Sequence, residues 1–146
     1  MPVTALLFGN AFLSAAKNAL GASLDGHADV KASLHTNTWV PDQDADINFD
    51  NLSDELVDAS YSAGGVACTG VTVSRVNKVV TLNCDPIVFN NLSGTFRYMV
   101  LRDATTGVAA TEPVLAYINF GADVVPAAQD VTVTPHASGV ATFTAA

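Results

Sequence analysis

From residue 66 onward the chain is a succession of short apolar runs: "VACTGVTVSR", "KVVTLNC", "FRYMVLRD", "VLAYINFG", "VTVTP" and "VATFTA". Between them lie "RVNK", "DPIVFNNLSG", "DATTG" and "HASG", rich in the Asn, Asp, Gly and Ser that turns need, so each run is predicted to be a strand. Upstream, "VKASLHT" sets Val30, Ala32, Leu34 and Thr36 against Lys31, Ser33 and His35. That alternation predicts a strand with one wet face. "VLAYINF" is apolar on both faces, which makes it the predicted central strand.

One stretch follows a different period. Phe8, Phe12, Ala15, Ala16 and Ala19 recur at spacings of three and four, with Leu6, Leu13 and Leu20 on an adjoining face. A helix near residues 5–20 is predicted, with Thr4 able to cap its start and Gly21 its end. A single helical turn is predicted at "NLSDELV", where Leu52 and Leu56 stand four apart. The fold class is therefore mainly β: an antiparallel β-sandwich with a short N-terminal helix and one short helical turn. The predicted division is an N-terminal helical segment, residues 1–22, and a β-sandwich, residues 23–146, within a single domain.

Composition agrees with that class. Nineteen Val and fourteen Thr stand against six Lys plus Arg, a balance suited to half-buried strands and too poor in long charged residues for a helical bundle. The net charge of −8 argues against a nucleic-acid partner, because such binding needs cations to displace counterions from phosphate. The N-terminal stretch lacks the basic start of a signal peptide, and no run of about 18 apolar residues occurs, so no membrane span or membrane partner is expected. Cys68 and Cys84 are too few for a disulfide framework and are expected to be free thiols in the core.

Half of the fourteen acids fall in "TWVPDQDADINFDNLSDELVDASYSAGG", residues 38–65. Asp42, Asp44 and Asp46 have the spacing of the first three ligands of a calcium loop, but Ile47 stands where that loop needs Gly and Ser53 where it needs a bidentate Glu. An EF-hand is excluded; a solvated acidic loop is expected, with an irregular calcium site as the alternative. Trp39 and Phe49 flank the acids and either pin the loop to the sandwich or anchor a partner. His27, His35 and His136 are isolated, with His35 expected on the wet strand face and His136 in a hairpin turn. No triad, nucleophile elbow, phosphate loop or CxxC motif is present, so no catalytic residue, metal ligand or cofactor is assigned, and the chain is read as a non-enzyme.

The order of landmarks adds to this. "DVKASLHTNTWVPDQDAD" is followed by "NLSDELVDASYSAGGVACTGVTVS", "FRYMVLRDATTG", "EPVLAYINFGAD" and a terminal Val/Thr hairpin. Over roughly residues 24–144 the chain resembles a family of small virion structural proteins of tailed bacteriophages. In that family a Lys-bearing strand enters a Thr, aromatic, Pro-Asp loop, a Tyr-Ser/Thr-Ala-Gly-Gly turn follows, and a late strand ends in Phe-Gly. Asn119 stands where the pattern has an acid before the Phe.

The resemblance implies a capsid decoration or cement protein that stabilises the outer surface of the head, assembled in the host cytoplasm. Its implied partners are the major capsid protein and further copies of itself. A tail-associated or a receptor- or glycan-binding virion protein is the alternative. Leu6, Phe8, Phe12, Leu13, Trp39 and Phe49 are the expected interface residues, because the N-terminal segment offers more apolar width than a helix lying on one sandwich needs.

Overall fold

The computed structural model describes Thr4–Leu7 and residues 29–76 and 79–144. Ten strands run in chain order among them: β1 (Thr4–Leu7), β2 (Val30–His35), β3 (Val66–Ala67), β4 (Thr72–Val76), β5 (Val79–Asn83), β6 (Ile87–Leu92), β7 (Phe96–Asp103), β8 (Val114–Val124), β9 (Gln129–Val133) and β10 (Ala141–Thr144). All pairings are antiparallel. One sheet has the order β1-β8-β7-β2-β3; the others are β10-β5-β4 and the pair β6-β9. The five-stranded sheet forms one layer and the two smaller sheets the other. Between them Val30, Ala32 and Leu34 of β2 and Met99 and Leu101 of β7 meet Leu82, Ile87, Phe89 and Leu92.

The fold is thus the antiparallel β-sandwich that the strand pattern predicts, with differences of detail. β8 is an interior strand, flanked by β1 and β7, while β7 is the middle strand of five. "VACTGVTVSR" is two strands, broken between Ala67 and Thr72. "IVFNNL", read as part of a turn, is β6 and pairs with β9. Its pairing register shifts between Phe89 and Leu92, with Asn91 at φ 54°, so the Asn pair marks a bulge within a strand. The bulge returns Leu92 to the core beside Ile87 and Phe89.

The N-terminal expectation also changes. Thr4–Leu7, where a helix is predicted to begin, is β1, with Thr4 opposite Asn119 and Leu7 opposite Ala116. The sandwich therefore draws on chain ahead of residue 23. Long-range pairing with β8 supplies the backbone partners that a local spacing cannot foresee. The remainder of the predicted helix lies outside the described residues. The short helical turn is a 3₁₀ turn at Phe49–Asn51, ahead of Leu52, and a second such turn occurs at Ala109–Thr111.

Candidate functional site: a buried polar lock beneath the acidic loop

The predicted wet face of β2 is dry at Ser33 and His35 and half-buried at Lys31. Ser33 and His35 are 0% and 1% exposed, because the stretch after β2 folds back over the outer face of the five-stranded sheet. Two backbone seams hold it there. The Thr36 N–H donates to Asp54 O at 2.9 Å and the Leu56 N–H to Leu34 O at 2.8 Å, stitching it to β2. The Phe49 N–H donates to Glu112 O at 2.9 Å and the Val114 N–H to Ile47 O at 3.0 Å, stitching it to the start of β8.

Trp39 is the apolar anchor. It is 3% exposed and packs edge-on against Tyr98 of β7 and Tyr117 of β8, with ring centroids 5.3 and 6.1 Å away. Val100 and Val114 complete this second cluster. Of the two expectations for Trp39, pinning the loop is the one the packing displays; the indole lies behind the surface and is not a contact on it. Phe49 is half-buried, with the Arg102 guanidinium carbon 3.6 Å above its ring centroid. The side chain of Leu6 is not described, and Phe8, Phe12 and Leu13 lie outside the described residues.

Beneath the loop sits a set of polar groups joined by hydrogen bonds. Arg102 Nε donates to Glu112 Oε2 at 2.7 Å, and both side chains are buried. Nothing locally forces an Arg into the apolar run "YMVLRD"; once there, its desolvated charge requires a carboxylate, and the turn before β8 delivers one. Arg102 Nη1 has no hydrogen-bond partner. Glu55 holds the second junction: its Oε1 accepts from the Tyr61 hydroxyl at 2.7 Å and the Gly64 N–H at 2.6 Å. The Tyr61 oxygen in turn accepts from the Leu34 N–H at 3.0 Å. Burial, aided by the bond to Glu55, pushes the Tyr61 hydroxyl far above its ordinary pKa, so it remains a neutral donor.

The "YSAGG" turn can lie on β2 only as glycine. Gly65 has φ +76°, and a Cβ there would stand 1.8 Å from Ala32 O. At the far end of β8, Gly121 at φ 79° ends the "INFG" run; its N–H donates to Asn119 Oδ1 at 2.8 Å and its carbonyl accepts from Arg97 at 3.2 Å. Asn119 thus serves as a local acceptor, a task the expected acid could also perform.

His35 is held by two hydrogen bonds. Its Nδ1 lies 2.8 Å from Ser53 O, which can only accept, so Nδ1 carries the proton and Nε2, 3.0 Å from Ser33 Oγ, accepts from that hydroxyl. The Ser–His distance is that of a nucleophile and its base. With both residues buried, no substrate reaches Oγ in this conformation. Burial holds the His35 pKa below its ordinary value, favouring the neutral ring that this arrangement needs.

Three acids of the loop accept backbone N–H groups nearby. Asp42 Oδ1 accepts from the Asp44 and Ala45 N–H groups at 2.9 and 3.1 Å, and buried Asp46 accepts from the Asp42 N–H at 2.8 Å. Asp58 accepts from the N–H groups of Ser60 at 2.8 Å and Ser93 at 3.0 Å, and the first of these bonds leads in holding its pKa down. Among the described residues, no group of three or more His, Cys, Asp or Glu is arranged to hold a metal ion. His136 closes the β9–β10 turn, where the Gly139 N–H donates to its carbonyl at 2.8 Å. His27 is outside the described residues. A separate apolar cleft of about 610 Å³ opens between the layers, walled by Phe96, Met99, Ile118, Phe120 and Val131.

Comparison of the chain with protein-family models, with curated proteins and with solved structures gave no match.

Proposed function

We propose that this chain is a structural protein of a tailed-bacteriophage virion, a decoration or cement protein that binds the major capsid protein on the outside of the head as a small homo-oligomer. One observation carries this beyond the motif resemblance: the stretches that bear the resemblance converge on the polar lock. Glu55, Tyr61 and Gly64 come from "NLSDELVDASYSAGG", Arg102 from "FRYMVLRD" and Glu112 from "EPVLAYINFG", while Trp39 of "TWVPDQDAD" anchors the covering loop. Their chemistry is spent on fixing a long loop to a sheet. A rigid loop with a fixed outer surface suits a module that must seat many times on a repeating lattice, since pre-ordering lowers the entropy cost of each contact.

With Trp39 inside and Phe49 capped by Arg102, contact with the shell passes to what the loop leaves outside. Val57 and Val40 are 93% and 77% exposed, on a stretch that also exposes Asp42, Asp44, Asp50 and Asp54. An apolar contact of this kind with an acidic rim fits a shell surface bearing complementary cations. The test is addition of purified protein to heads stripped of their outer proteins, followed by sedimentation and shell melting. Binding that raises the shell's melting temperature, and that Val57→Glu and Val40→Glu weaken without unfolding the protein, supports the proposal. Absence of binding to heads together with binding to tails or host cells replaces it with the tail or receptor reading.

A further inference from the structure

We infer that Cys68 and Cys84 form a modification site, a thiol pair that a small-molecule disulfide such as oxidised glutathione converts into an intramolecular disulfide joining the two layers of the sandwich. Cys68 follows β3 in the five-stranded sheet, and its N–H donates to Val30 O at 2.7 Å. Cys84 follows β5 in the three-stranded sheet. The next residues already join the two backbones: the Asp85 N–H donates to Thr69 O at 2.9 Å and the Thr69 hydroxyl to Asp85 Oδ2 at 3.1 Å. Both cysteines are free, both pack on the central core one residue before the Thr69–Asp85 pair, and each thiol is near enough to the other to shift its pKa. A disulfide needs Cα atoms within about 7 Å, and cysteines one residue away from a backbone hydrogen bond between the two layers are placed to meet that need.

The environments of the two thiols set the order of events. Cys84 is half-buried and open to a small reagent, whereas Cys68 is 3% exposed, and its neighbour Cys84 together with burial disfavours its thiolate. The Cys84 thiolate attacks one sulfur of oxidised glutathione, forming a mixed disulfide and expelling one glutathione thiolate. That thiolate takes the proton Cys84 gave up. Cys68 then loses its proton and attacks Cys84 Sγ, expelling the second glutathione thiolate, which is protonated in turn. In total two protein thiols and one glutathione disulfide become one protein disulfide and two glutathione thiols. The inference uses only these contacts and is independent of which particle the chain belongs to.

The test is incubation of the full chain with oxidised glutathione, acid quenching, alkylation, intact-mass measurement and peptide mapping. The expected product has lost two hydrogens, resists alkylation and yields a Cys68–Cys84 cross-linked peptide. A loop of this length should raise the melting temperature by about 10 °C, reversed by a dithiol reductant. Cys68→Ala should stop at a glutathione adduct on Cys84, and Cys84→Ser should remain unmodified at Cys68. A persistent adduct on the unsubstituted protein, bonds between chains, or a bridge that leaves the melting temperature unchanged or lower would each overturn the proposal. Should Cys68→Ala fail to fold, mass and melting of the unsubstituted protein decide.

Discussion

Replacing Glu112 by Leu removes the carboxylate that faces Arg102 at 2.7 Å in a buried site and leaves a desolvated cation behind. Breaking a buried pair from one side costs about 3–5 kcal/mol. Arg102→Met leaves Glu112 stranded in the same way and also ends the stacking on Phe49, worth about 1–2 kcal/mol more. Against a total stability of about 5–15 kcal/mol either change is severe, and for a domain of this size it corresponds to a fall in melting temperature of about 10 °C or more. The double variant replaces both charges with apolar side chains and strands neither, so it should be more stable than Arg102→Met alone, with a coupling energy of about 3 kcal/mol. Urea unfolding of the four proteins, with the midpoint read at constant m-value, measures that coupling. Single costs below about 1 kcal/mol that simply add would refute the lock. Raised salt should leave the coupling nearly unchanged, since a buried pair is weakly screened.

His35 gives a pH dependence of definite sign. The unfolded chain takes up a proton as pH falls through 6.5 while the folded chain, its His35 pKa lowered by burial, does not, so stability is present above that value and is lost as pH falls toward the folded pKa. Urea midpoints at successive pH values from 7.5 to 5 should decline, and His35→Gln should flatten the decline; an unchanged slope would remove His35 as its source. Gly65→Ala should cost on the order of 3 kcal/mol or prevent folding, because its Cβ meets the β2 backbone. Gly107→Ala, at φ +66° with nothing within 4 Å, should cost only about 1 kcal/mol, and equal effects would count against the close approach at Gly65. Calcium at sub-millimolar concentration should leave the melting temperature unchanged, since Asp42 and Asp46 already accept backbone N–H groups; a ligand at 100 times its dissociation constant would add about 2.7 kcal/mol.

β2 was legible from its alternation, and β7, β8 and β9 because β-branched and aromatic residues recur there between turn residues. β6 was hidden by Asn90 and Asn91, which carry the composition of a turn but form a bulge. β1 was hidden because the 3 and 4 spacing of its neighbourhood is a local signal, whereas its strand state comes from pairing with β8. The dryness of Ser33 and His35 depends on a covering loop that alternation within β2 does not encode. The lock did leave a trace: Arg102 interrupts a run apolar enough to be buried, and a charge in such a run implies a partner elsewhere. Sequence could not name Glu112 as that partner, because the turn at Ala109–Thr111 is what carries it back to β7.

The proposed role is tested most directly by counting and locating this chain in particles purified from a tailed phage whose genome carries its gene, by quantitative mass spectrometry with imaging of the head. A decoration protein is present in hundreds of regularly spaced copies on the outer shell, with Val40 and Val57 facing a capsid subunit. A handful of copies confined to the tail, or no copies in the particle, would contradict it.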